Sequence, residues 1–493
     1  MAVTQPNMKA ADSPIAMSAA DPAAREAAAA KAVEATINET PEVAAALAAR
    51  GIPSSTDGNG RAYVELAGTT DEIHAIGEYL TSYQPARNAF LNALVNRIGL
   101  TIVTSKLYRN PWAVFKRGYL EFGDTIEEIF VNLADVHGFY PEGAEDTFAK
   151  RELPDVRAAF HRMNFQKFYK TTVSSQQLRQ AFLSWTGVSD LIARIIESLY
   201  TSANTDEYYV MRYFLAKCLL NGYIGSVEIP EVGKDNAIDI ATQFQYMSDL
   251  FQYQSTKYNM AGVTTHTDFE DQYFIVTAKF KATMNMNVLA TAFNLEYREF
   301  QARMITVDTF TDFDWVRMDA LFTDPATGQL DPNYHRFTQE EIKLLETVPA
   351  VLVSRDWWMV LDNYVESAQW FNGEGLYWNH WHHVWKTISC SPFGQAAAFT
   401  PTAPSITSVT VTPATATLSK GADLQLSAAV VGTGIVNQGV QWKVTGGAAS
   451  GTTVTNGGYL HVAANETATT LTVTATSIQD GTKTGKSTIT VTA

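Results

Sequence analysis

The feature that most constrains this sequence is a break in composition near residue 400. Of the 93 residues from Pro401 to Ala493, 22 are Thr, set in short alternating runs. Ser408-Val409-Thr410-Val411-Thr412, Val440-Gln441-Trp442-Lys443-Val444 and Thr470-Leu471-Thr472-Val473-Thr474-Ala475 carry the two-residue period of half-buried strands. Lys420-Gly421, Asn456-Gly457-Gly458 and Asp480-Gly481 punctuate them as turns. The pattern predicts a small all-β sandwich over 406–493. It holds no cysteine, so its core has to be apolar packing, with Trp442 read as the central plug. The preceding stretch, 396–405, is rich in Ala, Thr and Pro and reads as a linker.

Charge separates the two parts as well. The 493-residue chain has 36 Lys+Arg and 51 Asp+Glu, for a net charge of -15. Beyond residue 400 there are 4 Lys and 3 acidic residues, or +1, so residues 1–400 hold -16. An acidic body with no basic face does not suit a protein that tracks nucleic acid by its phosphates. Cys218 and Cys390 are the only cysteines and stand 172 positions apart, which makes neither a disulfide framework nor a cysteine zinc site. Cys218 sits in an apolar helical run and reads as a small buried hydrophobe. The first residues lack the charged-then-apolar pattern of an export leader, and no window offers 18 uncharged apolar residues. Neither secretion nor a membrane partner is expected, and the chain is expected to be made, and first used, in the cytoplasm.

Residues 1–400 read as an α+β body. The Ala-rich start predicts one or two short helices within 21–50, the second opening at Thr40-Pro41-Glu42. Faces made mostly of Ala bury little, so this segment reads as an arm that needs another surface. Residues 100–150 alternate in short runs broken by Gly and Pro, predicting a long two-stranded excursion that is marginal by itself. Residues 174–222 carry the strongest helical signal, with Leu178, Phe182, Leu191, Ile195 and Leu199 on the apolar stripes. Residues 223–350 mix helices with strands near 300–307 and 348–354. Residues 351–394 are dense in Trp and Tyr, a composition that suits large burial or an interface.

The search for chemistry returns little. His380, His382 and His383 cluster, and on a strand His380 and His382 share one face where a metal could sit. No third ligand is specified, and the surrounding aromatics favour imidazoles packed into the fold. Glu127 and Glu128 are adjacent, so on a strand they point to opposite faces and do not make a glycosidase pair. No phosphate-binding G-x-x-x-x-G-K-[ST] loop and no G-x-S-x-G elbow is present. No catalytic residue, cofactor or metal is assigned, and the chain is read as not an enzyme. One excursion does reverse its charge: Lys106, Arg109, Lys116 and Arg117, interleaved with aromatics including Trp112, are followed at once by Glu121, Asp124, Glu127 and Glu128. Complementary patches of this kind fit head-to-tail contact between copies, because they select partner and register. These nine residues are the candidate intersubunit contacts.

The same run, Asn110-Pro111-Trp112 to Arg117-Gly118 and Gly123-Asp124-Thr125-Ile126-Glu127-Glu128-Ile129-Phe130-Val131, resembles major capsid proteins of small short-tailed bacteriophages. The resemblance implies a Hong Kong 97-type capsid fold. Residues 1–99 would be an N-terminal arm and entry helices, 100–150 the extended loop, 151–222 a peripheral domain with a spine helix, 223–350 the axial domain, and 351–395 a return to the peripheral domain. The C-terminal part resembles the bacterial immunoglobulin-like group 2 (BIG2) family through Val409-x-Val411-x-Pro413, Leu424-x-Leu426, Trp442 and Asn456-Gly457-Gly458-Tyr459-Leu460. The function implied is a self-assembling icosahedral or elongated phage head around double-stranded DNA. Implied partners are sister copies in pentamers and hexamers, scaffolding and portal proteins, loosely held DNA, and weak cell-surface or carbohydrate contact by the immunoglobulin-like module. The implied location is the virion shell. The competing readings are a tail or decoration protein, or a surface-binding protein or carbohydrate-active enzyme carrying such a module.

Overall fold

The computed structural model describes residues 30–90 (without 32, 57–59, 84, 87 and 88), 110–134 (without 121, 122 and 124), 156–174, 197–284 (without 234) and 303–492 (without 448 and 450). Along the chain come α1 (Pro41–Ala48), β1 (Ser54–Thr56), β2 (Ala62–Val64) and α2 (Thr70–Ser82). Then follow β3 (Lys116–Tyr119), β4 (Thr125–Val131), β5 (Val156–Arg162), β6 (Phe165–Ser174) and α3 (Ser202–Leu220). Next are β7 (Gly225–Glu228), α4 (Ala237–Phe251), β8 (Gln272–Thr277), α5 (Ala278–Thr283), β9 (Met304–Val307), α6 (Trp315–Phe322) and α7 (Gln339–Glu346). After β10 (Ala350–Ser354), β11 (Trp358–Asn372), β12 (Tyr377–Cys390) and β13 (Ala396–Thr400), nine strands run from β14 (Ser405–Thr412) to β22 (Thr484–Thr492). The parts of the predicted helical signal before residue 30 and at 175–196, and of the predicted excursion at 100–109 and 135–150, lie outside the described residues.

The contacts divide the chain into two units: 1–110, 165–208 and 362–386 in the first, and 111–164, 209–361 and 387–493 in the second. In the first, Thr69 caps α2 reciprocally with Glu72, its backbone N–H reaching Glu72 Oε2 at 2.9 Å. Val33, Ile37, Val43 and Leu47 are buried against Ile73, Ile76 and Leu80 of α2 and against Trp378 of β12. Asn38 is buried with both amide functions satisfied by the backbone of Val64, at 2.9 and 2.8 Å. The segment expected to be an arm without a surface therefore finds one in its own unit, at least from residue 30. The Ala count hid four branched side chains at helical spacing. Strand β12 pairs antiparallel with β6 from Tyr377–Ser174 to Lys386–Phe165. Where that pairing ends, Lys386 is buried, ion-paired with Glu207 and, at 2.9 Å, with Asp362. Glu207 in turn accepts from Asn110 Nδ2 at 2.8 Å. A buried ammonium keeps its charge at bearable cost only among such partners.

The second unit is organised by a five-stranded sheet in the order β7-β13-β10-β8-β9. Helix α4 lays Phe244 on it, with ring centroids 4.1 Å from Phe399 and 5.4 Å from Phe274. All five residues of β13 are buried, antiparallel to β10 and parallel to β7. This overturns the linker reading of 396–405 for its first half. Ala396, Ala397 and Ala398 are small because both faces and both edges of this strand are covered, not because the segment is loose.

The nine C-terminal strands enclose one apolar core around Leu426, Leu460, Val462, Leu471, Val473 and Ile489. Trp442 is not its plug. It lies on an edge strand (Val440–Thr445, paired among the described residues only with Thr470–Ser477) and is half-buried at the core margin. Nor does the sandwich hang free within its unit. Ser226 Oγ donates to Ile435 O at 2.6 Å, and Gln438 N–H donates to Gly222 O at 2.8 Å. Gly222 ends α3 with φ +69°, and a Cβ there would stand 2.3 Å from Val436 O. Both the left-handed backbone and the close approach require glycine. Gly222→Ala is therefore expected to lower stability by about 1–3 kcal/mol. The check is a reduced urea midpoint at unchanged slope; an unaltered midpoint would show that the close approach is not maintained.

Candidate intersubunit surface

Strands β4 and β5 form a two-stranded antiparallel ribbon, in register from Thr125–Arg162 to Val131–Val156. The excursion expected within 100–150 thus takes its second strand from beyond residue 150. Val156 to Arg162 alternates only weakly in hydropathy because its inward positions are Arg157, Ala159 and His161.

That inward face is fastened to the rest of the second unit. Glu128 accepts from Ser391 Oγ at 2.9 Å and pairs with His161 Nε2 at 3.1 Å, while His161 Nδ1 meets Ser389 Oγ at 2.7 Å. Phe130 stacks on Phe393 at 5.3 Å. Arg157 donates to Ala261 O, and its Nε faces the Asn456 amide at 2.9 Å. The outward face is different in kind. Ile129, Val131, Val156 and Phe160 are all more than half exposed, Phe160 at 64%, and Leu133 continues the patch. Glu127 and Arg162 lie exposed toward the other end of the same face. Contiguous apolar surface rimmed by charge is the mark of an interaction site.

The sequence-derived contacts fare unequally. Trp112 is fully buried in its own chain, edge-on to Trp358 at 5.2 Å and to Phe115 at 6.2 Å, so it offers nothing to a neighbour. Arg117 is used internally too, donating to Asp356 O at 2.7 Å and Trp358 O at 3.0 Å. An Arg beside a buried Trp pair serves its own backbone because the carbonyls at a strand's irregular start need donors. Lys116 is half-buried on β3, and Glu128 is committed inward to His161 and Ser391. Of the described candidates, Glu127 alone faces outward on the ribbon. Lys106, Arg109, Glu121 and Asp124 lie outside the described residues. Sequence reasoning passed over Val156, whose signal was period-two exposure against β4, legible only once the strands were paired.

The histidine cluster sits in the first unit, on β12. His380 and His382 share a face, as period two requires, and both are buried. His382 Nδ1 meets Ser367 Oγ at 3.1 Å, and its ring packs on Tyr200 at 4.2 Å. His380 has no hydrogen-bond partner for either nitrogen among the described residues. Burial pushes both imidazoles down to about 4, His382 further pressed by Lys386. Among the described residues no three metal-ligating groups converge. These imidazoles are neutral packing groups.

Comparison with known proteins gives a consistent set of likenesses. Residues 52–400 match the profile of the Phi29-like phage major capsid proteins. The major capsid protein of Bacillus phage B103 is 34% identical over 421 residues, 84% of this chain and 86% of its own length. That of Bacillus phage PZA is 32% identical over 413 residues, 82% of this chain and 84% of its own. Among solved structures, the capsid of Staphylococcus phage Andhra is similar with a TM-score of 0.48 at 15% identity, over 60% of this chain and 85% of that one.

Because His380 and His382 titrate in the unfolded chain near 6.5 but near 4 when buried, the unfolded state binds more protons between those values. Stability is complete above 6.5 and falls as pH drops toward 4. Replacing His380 by Phe removes up to about 3 kcal/mol of that decline. Urea denaturation at pH 7 and pH 4.5 checks this: the variant's loss should be smaller than the parent's, and equal losses would refute it.

Proposed function

The chain belongs to the Phi29-like phage major capsid protein family, and on that premise we propose how its copies join into the head. It is a structural component of the virion, and self-association into a capsid shell is its function. The family's role is structural rather than enzymatic. The tile is read as Hong Kong 97-type, closing the shell through pentamers and hexamers whose repeated contacts are individually weak and collectively hard to leave. The C-terminal sandwich is read as an immunoglobulin-like module, a reading that rests on its motif resemblance and on its strand-built core.

The contact that carries the proposal is the outward face of the β4–β5 ribbon. Ile129, Val131, Leu133, Val156 and Phe160 face solvent on a ribbon whose other face is already anchored by Glu128, Phe130 and Arg157. A surface this apolar is wasteful on an isolated molecule. Burying each such side chain fully gives about 1.5–3 kcal/mol, so a sister copy seated here gains enough to drive assembly once many contacts act together. Glu127 and Arg162 at the charged end of the face would set the register of that contact. The net charge of -15 suits a wall that holds double-stranded DNA without gripping it. Scaffolding and portal partners follow from the family reading, as does weak carbohydrate contact by the C-terminal module.

Ile129→Asp combined with Phe160→Asp is expected to leave a folded protein with a parental circular dichroism spectrum while cutting shell yield at least tenfold in electron micrographs. Parental shell yield from the double variant would remove the ribbon from the interface.

A further inference from the structure

The two cysteines, far apart in sequence, are neighbours in the fold. Cys218 lies in the last turn of α3 and is fully buried, whereas Cys390 ends β12 and is half-buried. Their side chains are close enough for Cys390 to push on the ionisation of Cys218. Flanking contacts hold them there. Phe214, one helical turn before Cys218, packs on Trp357 and Trp358 at 6.4 and 5.9 Å between ring centroids. The carbonyl of the same Trp357 accepts from the N–H of Ser391, the residue after Cys390, at 2.8 Å. On the other side, Tyr223 N–H donates to Cys218 O at 2.9 Å, closing the helix end over the pair. Ser389 and Ser391 bond the ribbon's His161 and Glu128, while Cys390 between them meets α3. A bond between the cysteines would therefore tie α3 to the strand end that anchors the ribbon.

We propose that Cys218 and Cys390 are a redox modification site, thiols as the chain is made and an intrachain disulfide once the particle meets an oxidising medium. Chains made in a reducing cell interior keep free thiols, and particles released from it lose that protection. The oxidant is a low-molecular-weight disulfide, RSSR. The more accessible Cys390, as thiolate, attacks one sulfur of RSSR. The Cys390–SR bond forms, the S–S bond of the reagent breaks, and RS⁻ leaves to take up a proton. Cys218 then gives up its proton and attacks Cys390 Sγ, forming the intrachain bond and expelling the second RS⁻, which is protonated in turn. Two protein thiols are oxidised and one RSSR is reduced to two RSH. Burial, and then the neighbouring Cys390, push the Cys218 thiol well up, so ring closure is slow at neutral pH and quickens as pH rises.

The test uses the full-length protein and its assembled particles, incubated with oxidised glutathione, alkylated in denaturant and digested without reductant. The expected result is a mass loss of two hydrogens and a linked peptide pair containing Cys218 and Cys390, reversed by dithiothreitol. Oxidation should also raise Tm, and Cys218→Ser should abolish that rise and stop at a glutathione adduct on Cys390. A persistent adduct on the parental Cys390, a bond between chains through Cys390, or full alkylation of both cysteines would each overturn the proposal. The parental mass result decides the matter if the variant fails to fold. Failure here leaves the shell reading untouched, because the thiols are not part of the ribbon's outward face.

Discussion

A two-stranded ribbon has two faces, and the described residues of this chain cover only one of them. The covered face uses nearly every kind of interaction available. Glu128 is shared between His161 and Ser391, Phe130 stacks on Phe393, and Arg157 reaches Ala261 and Asn456. A ribbon of this length would fray in water by itself. Anchoring one side makes it rigid enough to present the other, and the presented side is apolar over most of its length. The distinction between a ribbon that is held and a ribbon that holds something else is the basis for reading a shell tile from a single chain.

The anchor depends on the segment from Ser389 to Phe399. Its first residues fasten the ribbon, and its last enter the five-stranded sheet as β13, between β7 and β10. Four residues separate the end of β13 from β14, where the C-terminal sandwich begins, bonded to Gly222 and Ser226. Ribbon, sheet and sandwich of the second unit therefore share one short stretch of backbone. A strand displaced in β13 would be felt at the ribbon and in the sandwich alike, because buried strands shift as units rather than deforming residue by residue.

Much of this was legible in the residues, and the failures have definite causes. The C-terminal strands declared themselves by alternation and Gly-bearing turns. The capsid family was legible in the run from Asn110 to Val131. What sequence pattern misses is pairing. Val156 was invisible as surface until β5 was set beside β4, and Cys218 and Cys390 looked unrelated until α3 met the end of β12. Composition also misled where one residue type serves two ends. Alanine in 396–398 marked a strand covered on all sides rather than a tether, and alanine in 30–50 masked Val33, Ile37, Val43 and Leu47. Charge misled at Arg117, whose donors go to carbonyls of its own chain.

The central claim is that assembly buries the ribbon's outward face and leaves its inward face as it is. Hydroxyl-radical footprinting of unassembled protein and finished particles reads this residue by residue. Assembly through this face gives strong protection of Ile129, Val131 and Phe160, with Phe130 and His161 labelled equally weakly in both states. Equal labelling of Ile129, Val131 and Phe160 in free protein and particle would contradict it.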